Sequence, residues 1–295
     1  MGTEQISPRY RDIDAWAPGE VLDAMIEGQL AAVAAVRAAS AQIETATLAM
    51  VERLRKGGRI VYAGAGTSGR IAVQDGAELP PTFDWPRDRL VLLMAGGEPA
   101  LLRSVENAED DKVAGAATIT DHKIGPLDTV IGIAASGATP YTIAVIDAAR
   151  KVGALTIGIA NNPGAPLAAA AEHGIILDTG PEAIAGSTRM KAGTAQKIAL
   201  NLISSLAMIR LGRVYEGLMV DVVAMNEKLR RRSENMLRRL TGAEDAAIRD
   251  ALVKADGNVK LARLLIAGLD RPAAEALLTK HEGHLRPALA EILGA

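Results

Sequence analysis

Three short segments of this chain set hydroxyl side chains among glycines: Gly64-Ala65-Gly66-Thr67-Ser68-Gly69-Arg70, Ser136-Gly137-Ala138-Thr139-Pro140 and Gly186-Ser187-Thr188-Arg189-Met190-Lys191. At a helix start the first backbone N–H groups lack intrahelical acceptors and the dipole is positive, so hydroxyls placed there converge with amides on one anion. A phosphate monoester suits such a group. Each segment taken singly has an ordinary alternative: Ser68 could cap a helix, Pro140 could simply open a first turn, and Arg189 or Lys191 could form a structural ion pair. The first segment also matches G-x-G-x-x-G, but a dinucleotide site wants an acidic residue near the end of the next strand. That strand ends in Ala95-Gly96-Gly97, with Glu98 later than required. Hydroxyls recurring in three segments favour a phosphorylated polyol over a dinucleotide.

Carboxylates supply the second ingredient, because proton removal beside a carbonyl and protonation of a leaving oxygen need a base and an acid. Asp75 and Glu78 follow the first segment, and Leu79-Pro80-Pro81-Thr82-Phe83 is expected to stop the helix and fix Glu78 at its end. Glu106, Glu109 and Asp110 lie in Ser104-Val105-Glu106-Asn107-Ala108-Glu109-Asp110-Asp111. On a helix Glu106 would share a face with both later acids, which is also what an ordinary solvated acidic face looks like.

These residues need a frame. Apolar runs at Arg59–Ala63, Leu90–Met94, Thr129–Ala134, Leu155–Ile159 and Gly174–Leu177 alternate with helix-compatible segments such as Tyr141–Val152. Strands apolar on both faces that alternate with helices imply an α/β fold with a parallel sheet covered on both sides. Ligands of such sheets bind at the carboxyl ends of the strands, where all three hydroxyl segments fall. Pro18–Arg55 reads as one or two amphipathic helices, and longer helices are expected over about 188–211 and 220–240. Residues 1–240 are therefore expected to form the main domain, and 241–295 a small helical C-terminal domain.

Composition narrows the class. Of 295 residues 49% are hydrophobic but only 2% aromatic, so the core must come from closely packed Ala, Val, Ile and Leu. A formal charge of −2 with dispersed cations gives no nucleic-acid surface, and Arg230-Arg231-Arg232 sits in a helical pattern as a solvated face. With no cysteine there is no disulfide, thiolate nucleophile or thiolate metal site. His281 and His284 lack an accompanying acidic cluster and read as solvated rather than as metal ligands. Met1–Trp16 has neither the basic start nor the apolar run of a secretion signal, and the longest apolar stretch, Ile198–Ile209, is interrupted and short for a membrane span. A soluble cytoplasmic chain is expected.

At these residues the chain resembles the N-acetylmuramic acid 6-phosphate etherases, built on the sugar isomerase (SIS) fold. The likeness runs from Arg59 to Leu229 through the three hydroxyl segments, Ala77-Glu78-Leu79-Pro80-Pro81-Thr82-Phe83, Val105-Glu106-Asn107-Ala108-Glu109-Asp110 and Leu218–Leu229. Thr3-Glu4 matches part of the family's opening signature, with Ser7-Pro8 where Asn-Pro is usual. The resemblance implies a carbon–oxygen lyase that removes the lactyl ether from C3 of the sugar by elimination and water addition, giving N-acetylglucosamine 6-phosphate and D-lactate without metal or organic cofactor. It implies Glu78 as the acid that protonates departing lactate and Glu109 as the base at C2. Thr67, Ser68, Ser136, Thr139, Ser187 and Thr188 would contact the sugar phosphate, and Lys191 or Arg189 the enediolate charge or the lactyl carboxylate. It further implies a cytoplasmic homodimer in bacterial peptidoglycan recycling, with Ala41–Arg55 and Ala195–Leu211 as possible interface helices.

Two other readings use the same loops. An aldose–ketose isomerase of this fold would keep its base at Glu182, although the Glu78-Leu79-Pro80-Pro81 block argues against it. A non-catalytic sugar-phosphate sensor would keep the hydroxyls and could dispense with Glu78 and Glu109, both of which are present.

Overall fold

The computed structural model describes residues 2–222 and 227–294, so Val223 to Asn226 of the Leu218–Leu229 segment lie outside the described residues. The chain forms two compact units, one from residues 1–77 and 87–204, the other from 78–86 and 205–295.

The first unit is built on a five-stranded sheet of β1 (Ile60–Gly64), β2 (Leu90–Met94), β3 (Thr129–Ala134), β4 (Leu155–Ala160) and β5 (His173–Ile176). Their order is β2-β1-β3-β4-β5 and every pairing is parallel. All five expected strands are present, displaced by at most a residue or so at their ends. Parallel pairing needs a crossover after each strand, and helices supply it: α3 (Gly66–Phe83) follows β1, α4 (Lys112–Asp121) precedes β3, α5 (Pro140–Lys151) follows β3 and α6 (Pro166–Ala170) follows β4. Before the sheet, α1 (Pro18–Ala38) and α2 (Ser40–Arg55) are two helices, and α7 (Lys191–Arg210) comes after it.

Alternation along the strands sorts the core into two layers. Val61, Ala63, Val91, Leu93, Val130 and Ala134 pack with Ile119 of α4, Val145 and Ile146 of α5 and Leu167 of α6. Tyr62 points the other way. Its hydroxyl donates to Asp75 Oδ2 on α3 at 2.7 Å, while Asn201 Nδ2 and Ser204 Oγ of α7 donate to Asp75 Oδ1 at 2.6 and 3.2 Å. Asp75 is thus a buried clamp between strand and helices, and the tyrosine's pKa is raised well above its ordinary value, first by burial and then by this carboxylate.

Two local expectations fail. Pro80 and Pro81 lie inside α3, which runs on to Phe83. Proline removes the donor to the carbonyl four residues back but keeps its own carbonyl, and Asp84 N–H donates to Pro80 O at 3.0 Å, so the last turn closes. Residues 104–110 form no α-helix. Asn107 adopts left-handed φ 58°, and only a short 3₁₀ turn, Ala108–Asp110, follows, so Glu106 and Glu109 do not share a helical face.

The second unit contains a short antiparallel hairpin, β6 (Val214–Tyr215) and β7 (Leu218–Met219), and the helices α8 (Glu227–Thr241), α9 (Asp245–Lys254), α10 (Val259–Ile266), α11 (Arg271–Lys280) and α12 (Leu285–Leu293). Leu237, Ile248, Val259, Leu264 and Leu285 meet in its core. Lys260 is buried there but fully engaged, with Asp221 Oδ2 at 2.7 Å and the carbonyls of Gly283 and Gly212 at 2.8 and 3.2 Å. His281 Nε2 lies 2.7 Å from Glu291 Oε2. Among the described residues no helix is long and apolar enough to cross a membrane.

Backbone packs closely where α3 starts. A Cβ on Gly69 would lie 2.8 Å from both C and O of Gly64, and one on Gly64 would lie 2.9 Å from Gly69 Cα and 3.1 Å from Ile133 O. Backbone cannot yield as a side chain can, so Gly69→Ala should lower unfolding stability by about 1–3 kcal/mol, measured by chemical denaturation. An unchanged midpoint would show that β1 and α3 can separate without cost.

Candidate active site

The first two hydroxyl segments leave the sheet directly after β1 and β3, and the third runs into the start of α7. After β1, Ala65 is the last residue before α3, and its carbonyl accepts from Gly69 N–H at 3.0 Å. Ser68 therefore sits within the first turn, not at the cap, and it is buried. After β3 the chain turns at Gly137, φ 69°, where a Cβ would press on Ala165 and Ala160. Ser136 Oγ accepts from Ala138 N–H at 3.1 Å, which shapes this turn. Thr139 is the N-cap of α5, yet its hydroxyl makes no cap hydrogen bond.

Thr67, Ser68, Ser136, Thr139 and Thr188 line one cavity of about 430 Å³, together with Glu4, Glu109, Asp110 and the backbone at Ala65, Gly66 and Ala135. The start of α3 lies at its wall, at Gly66, Thr67 and Ser68, and α5 adds the Thr139 hydroxyl, so phosphate would meet N–H donors from one helix start and O–H donors from two. A second cavity of about 390 Å³ adjoins it, and the two share Ala65, Gly66, Thr67 and Glu109. Arg70, Arg103, Ser104, Glu106 and Asn107 are on its wall.

Ser187 and Lys191 line neither cavity, and neither does Glu78. Glu78 is exposed on α3, and by packing it belongs with the 78–86 segment of the second unit. Lys191 is buried; its pKa is lowered chiefly by desolvation, with Glu182 and Asp178 opposing that shift. Glu182 is buried too, and its two oxygens accept from the first amides of α7, Lys191 N–H at 3.2 Å and Ala192 N–H at 2.9 Å. Both oxygens are committed to capping a helix, an arrangement unsuited to a base that must reach a substrate. Among the described residues no three His, Asp or Glu side chains gather as a cation site.

Glu4 was not expected from motif chemistry. Thr3 N–H donates to Asn162 Oδ1 at 3.0 Å, and Asn162 Nδ2 donates to Thr3 Oγ1 at 2.9 Å and to Ala135 O at 3.0 Å. Thr3 is fully buried by this clip, which pins the chain's opening segment to the Ser136 turn and sets Glu4 at the cavity. The only hint in the sequence was the Thr3-Glu4 signature of the family it resembles.

Comparison with known proteins agrees with this architecture. Residues 42–150 match the glucokinase regulatory protein N-terminal SIS domain model and 97–206 the SIS domain model. The chain is 50% identical over 290 residues to an N-acetylmuramic acid 6-phosphate etherase of Deinococcus radiodurans, covering 98% of this chain and 95% of that one. It is 47% identical over 291 residues to the enzyme of that name from Streptomyces avermitilis, covering 98% and 94%, and 45% identical over 289 residues to that from Nostoc sp., again covering 98% and 94%. The chain belongs to the N-acetylmuramic acid 6-phosphate etherase family. The five-stranded parallel sheet and the added C-terminal helices are thus the frame of an etherase-family chain.

In this etherase-family chain the Glu182 cap gives a pH test. Burial raises its carboxyl pKa above the ordinary 4.5, with the two amides and Lys191 opposing. A folded carboxyl with a raised pKa binds its proton more tightly than the unfolded one, so its contribution to stability is fullest below pH 4.5 and falls as pH rises from there through the folded value. Relative to Glu182→Gln, which cannot ionise, wild type should lose stability over that window in denaturation curves measured from pH 4 to 8. A difference that stays flat or grows with pH would mean that the carboxylate is stabilised by its amides overall.

Proposed function

We propose that this chain cleaves the lactyl ether at C3 of N-acetylmuramic acid 6-phosphate, giving N-acetylglucosamine 6-phosphate and D-lactate. The observation that carries the reading is one cavity in which Glu109 faces the hydroxyls of three separate turns, in a chain of the etherase family. Thr67, Ser68, Ser136, Thr139 and Thr188 hold the phosphate and the open-chain sugar. Glu109 removes the proton at C2, which the neighbouring aldehyde makes acidic. The electron pair moves into a C2–C3 double bond, the C3–oxygen bond breaks, and the departing lactate takes a proton from an acid, the role that the family resemblance gives to Glu78 although it lines neither cavity. Water, activated by the Glu78 carboxylate, then adds at C3 and a proton returns to C2.

Binding of phosphate by hydroxyls would serve an isomerase equally, but Glu182 is occupied at the start of α7 while Glu109 is open to the cavity. Lactate release from N-acetylmuramic acid 6-phosphate in heavy-oxygen water tests the proposal. Wild type should place label at C3, and Glu78→Gln and Glu109→Gln should each lose about 10²–10⁴-fold in kcat. Wild type that binds the sugar phosphate and releases no lactate would overturn it.

A cytoplasmic homodimer completes the proposal. Leu22, Ile26, Leu30 and Val33 of α1 are 51–65% exposed at helical spacing, an apolar stripe suited to a second copy, and Leu48 of α2 and Leu202 of α7 are exposed as well. Leu30→Asp should convert a dimer to monomer in sedimentation velocity. A wild type that sediments as a monomer would remove this part of the reading.

A further inference from the structure

The proposed substrate carries two anions, the phosphate and the carboxylate of its lactyl group, whereas the cavity lined by the hydroxyls has no lysine or arginine among its lining residues. The cations stand next door. Arg70 and Arg103 line the adjoining cavity, which meets the first at Thr67 and Glu109. Arg70 Nε donates to the carbonyls of Ala100 and Leu101 at 3.0 and 3.1 Å, which fixes the guanidinium and leaves its two terminal nitrogens without a protein acceptor among the described residues. Arg103 is exposed and has no acidic partner within ion-pair distance among the described residues.

Resting on the etherase reading, we propose that Arg70 and Arg103 receive the lactyl carboxylate, and so select sugars that carry an acidic ether at C3. The geometry of the junction supports this placement. Glu109 acts at C2, the ether is on the adjacent carbon C3, and Glu109 is where the two cavities join, so phosphate in one places the ether substituent toward the other. A guanidinium offers a planar pair of donors that matches a carboxylate. Glu106 and Glu109 line the same cavity, so the two arginines also keep it from being wholly acidic before the ligand arrives. Lys191, buried beside Glu182 and Asp178, lines neither cavity.

The test uses equilibrium binding in a Glu109→Gln background, so that neither ligand is consumed. Calorimetry compares N-acetylmuramic acid 6-phosphate with N-acetylglucosamine 6-phosphate, which lacks only the lactyl group. Arg103→Ala should weaken the first about tenfold or more, roughly the 1.4 kcal/mol of one decade in affinity, and leave the second within about twofold. Arg70→Lys, which keeps charge but not the fork, should shift the same ratio in the same direction at unchanged melting temperature. Equal losses for both ligands would place the arginines on the phosphate and overturn the inference, as would no loss for either. Lactate release by wild type is followed separately, so a failure of the etherase reading shows there and not in the ligand ratio.

Discussion

The site depends on how closely α3 can approach the end of β1. A helix start contributes amides and hydroxyls to a ligand only if its first turn sits directly over the strand that feeds it, and any Cβ at Gly64 or Gly69 would meet backbone less than 3 Å away. That contact puts Thr67 and Ser68 at the sheet edge. Parallel pairing does the rest, because every strand that enters from the same side delivers its own turn to the same edge. The Ser136 turn lies two positions along the sheet from β2 and next to β1, which is why residues far apart in sequence share one cavity.

Burial sorts the carboxylates of this unit. Asp75 and Glu182 are inside, and each has both oxygens occupied, one by Tyr62, Asn201 and Ser204, the other by two helix amides. Removing a carboxylate from water is tolerable only with such compensation, and groups so bound are fixed in place. Glu109 is the opposite case, exposed on a 3₁₀ turn at the wall of both cavities. The base proposed at C2 needs a free oxygen more than it needs burial, and Glu109 sits exposed on the turn that follows the left-handed Asn107.

The strands were legible because they are buried on both faces: runs such as Thr129–Ala134 are continuous apolar segments, and their limits follow from where burial ends. Helix starts were legible from glycine, hydroxyl and proline chemistry. Local pattern gave less where long-range contacts decide. Acids at Glu106, Glu109 and Asp110 have helical spacing, but a single left-handed residue breaks the phase, and asparagine tolerates that conformation without any signal in its neighbours. The prolines of α3 fall in its last turn, where only donors are lost and the chain can continue. Glu4 could not be placed from motif chemistry, since a hydrogen-bonded clip to Asn162, 159 residues away, brings it to the site.

The two cavities differ in the way they can hold an anion, and the difference has a physical use. The hydroxyl-lined one has acids on its wall and no cation, so attraction there is directional, from O–H and N–H donors that must fit a tetrahedral oxygen set. A mobile anion drawn only by charge would gain little from it. The adjoining cavity has two guanidinium groups, one braced by main-chain carbonyls, and charge there acts over a longer range and with less demand on shape. In the proposed mode a ligand with one phosphate and one carboxylate sets the first in one cavity and the second in the other, with the carbon between them toward Glu109, which lines both. Directional donors on one side and fixed charge on the other thus give the polarity of binding that a single positively charged pocket would not.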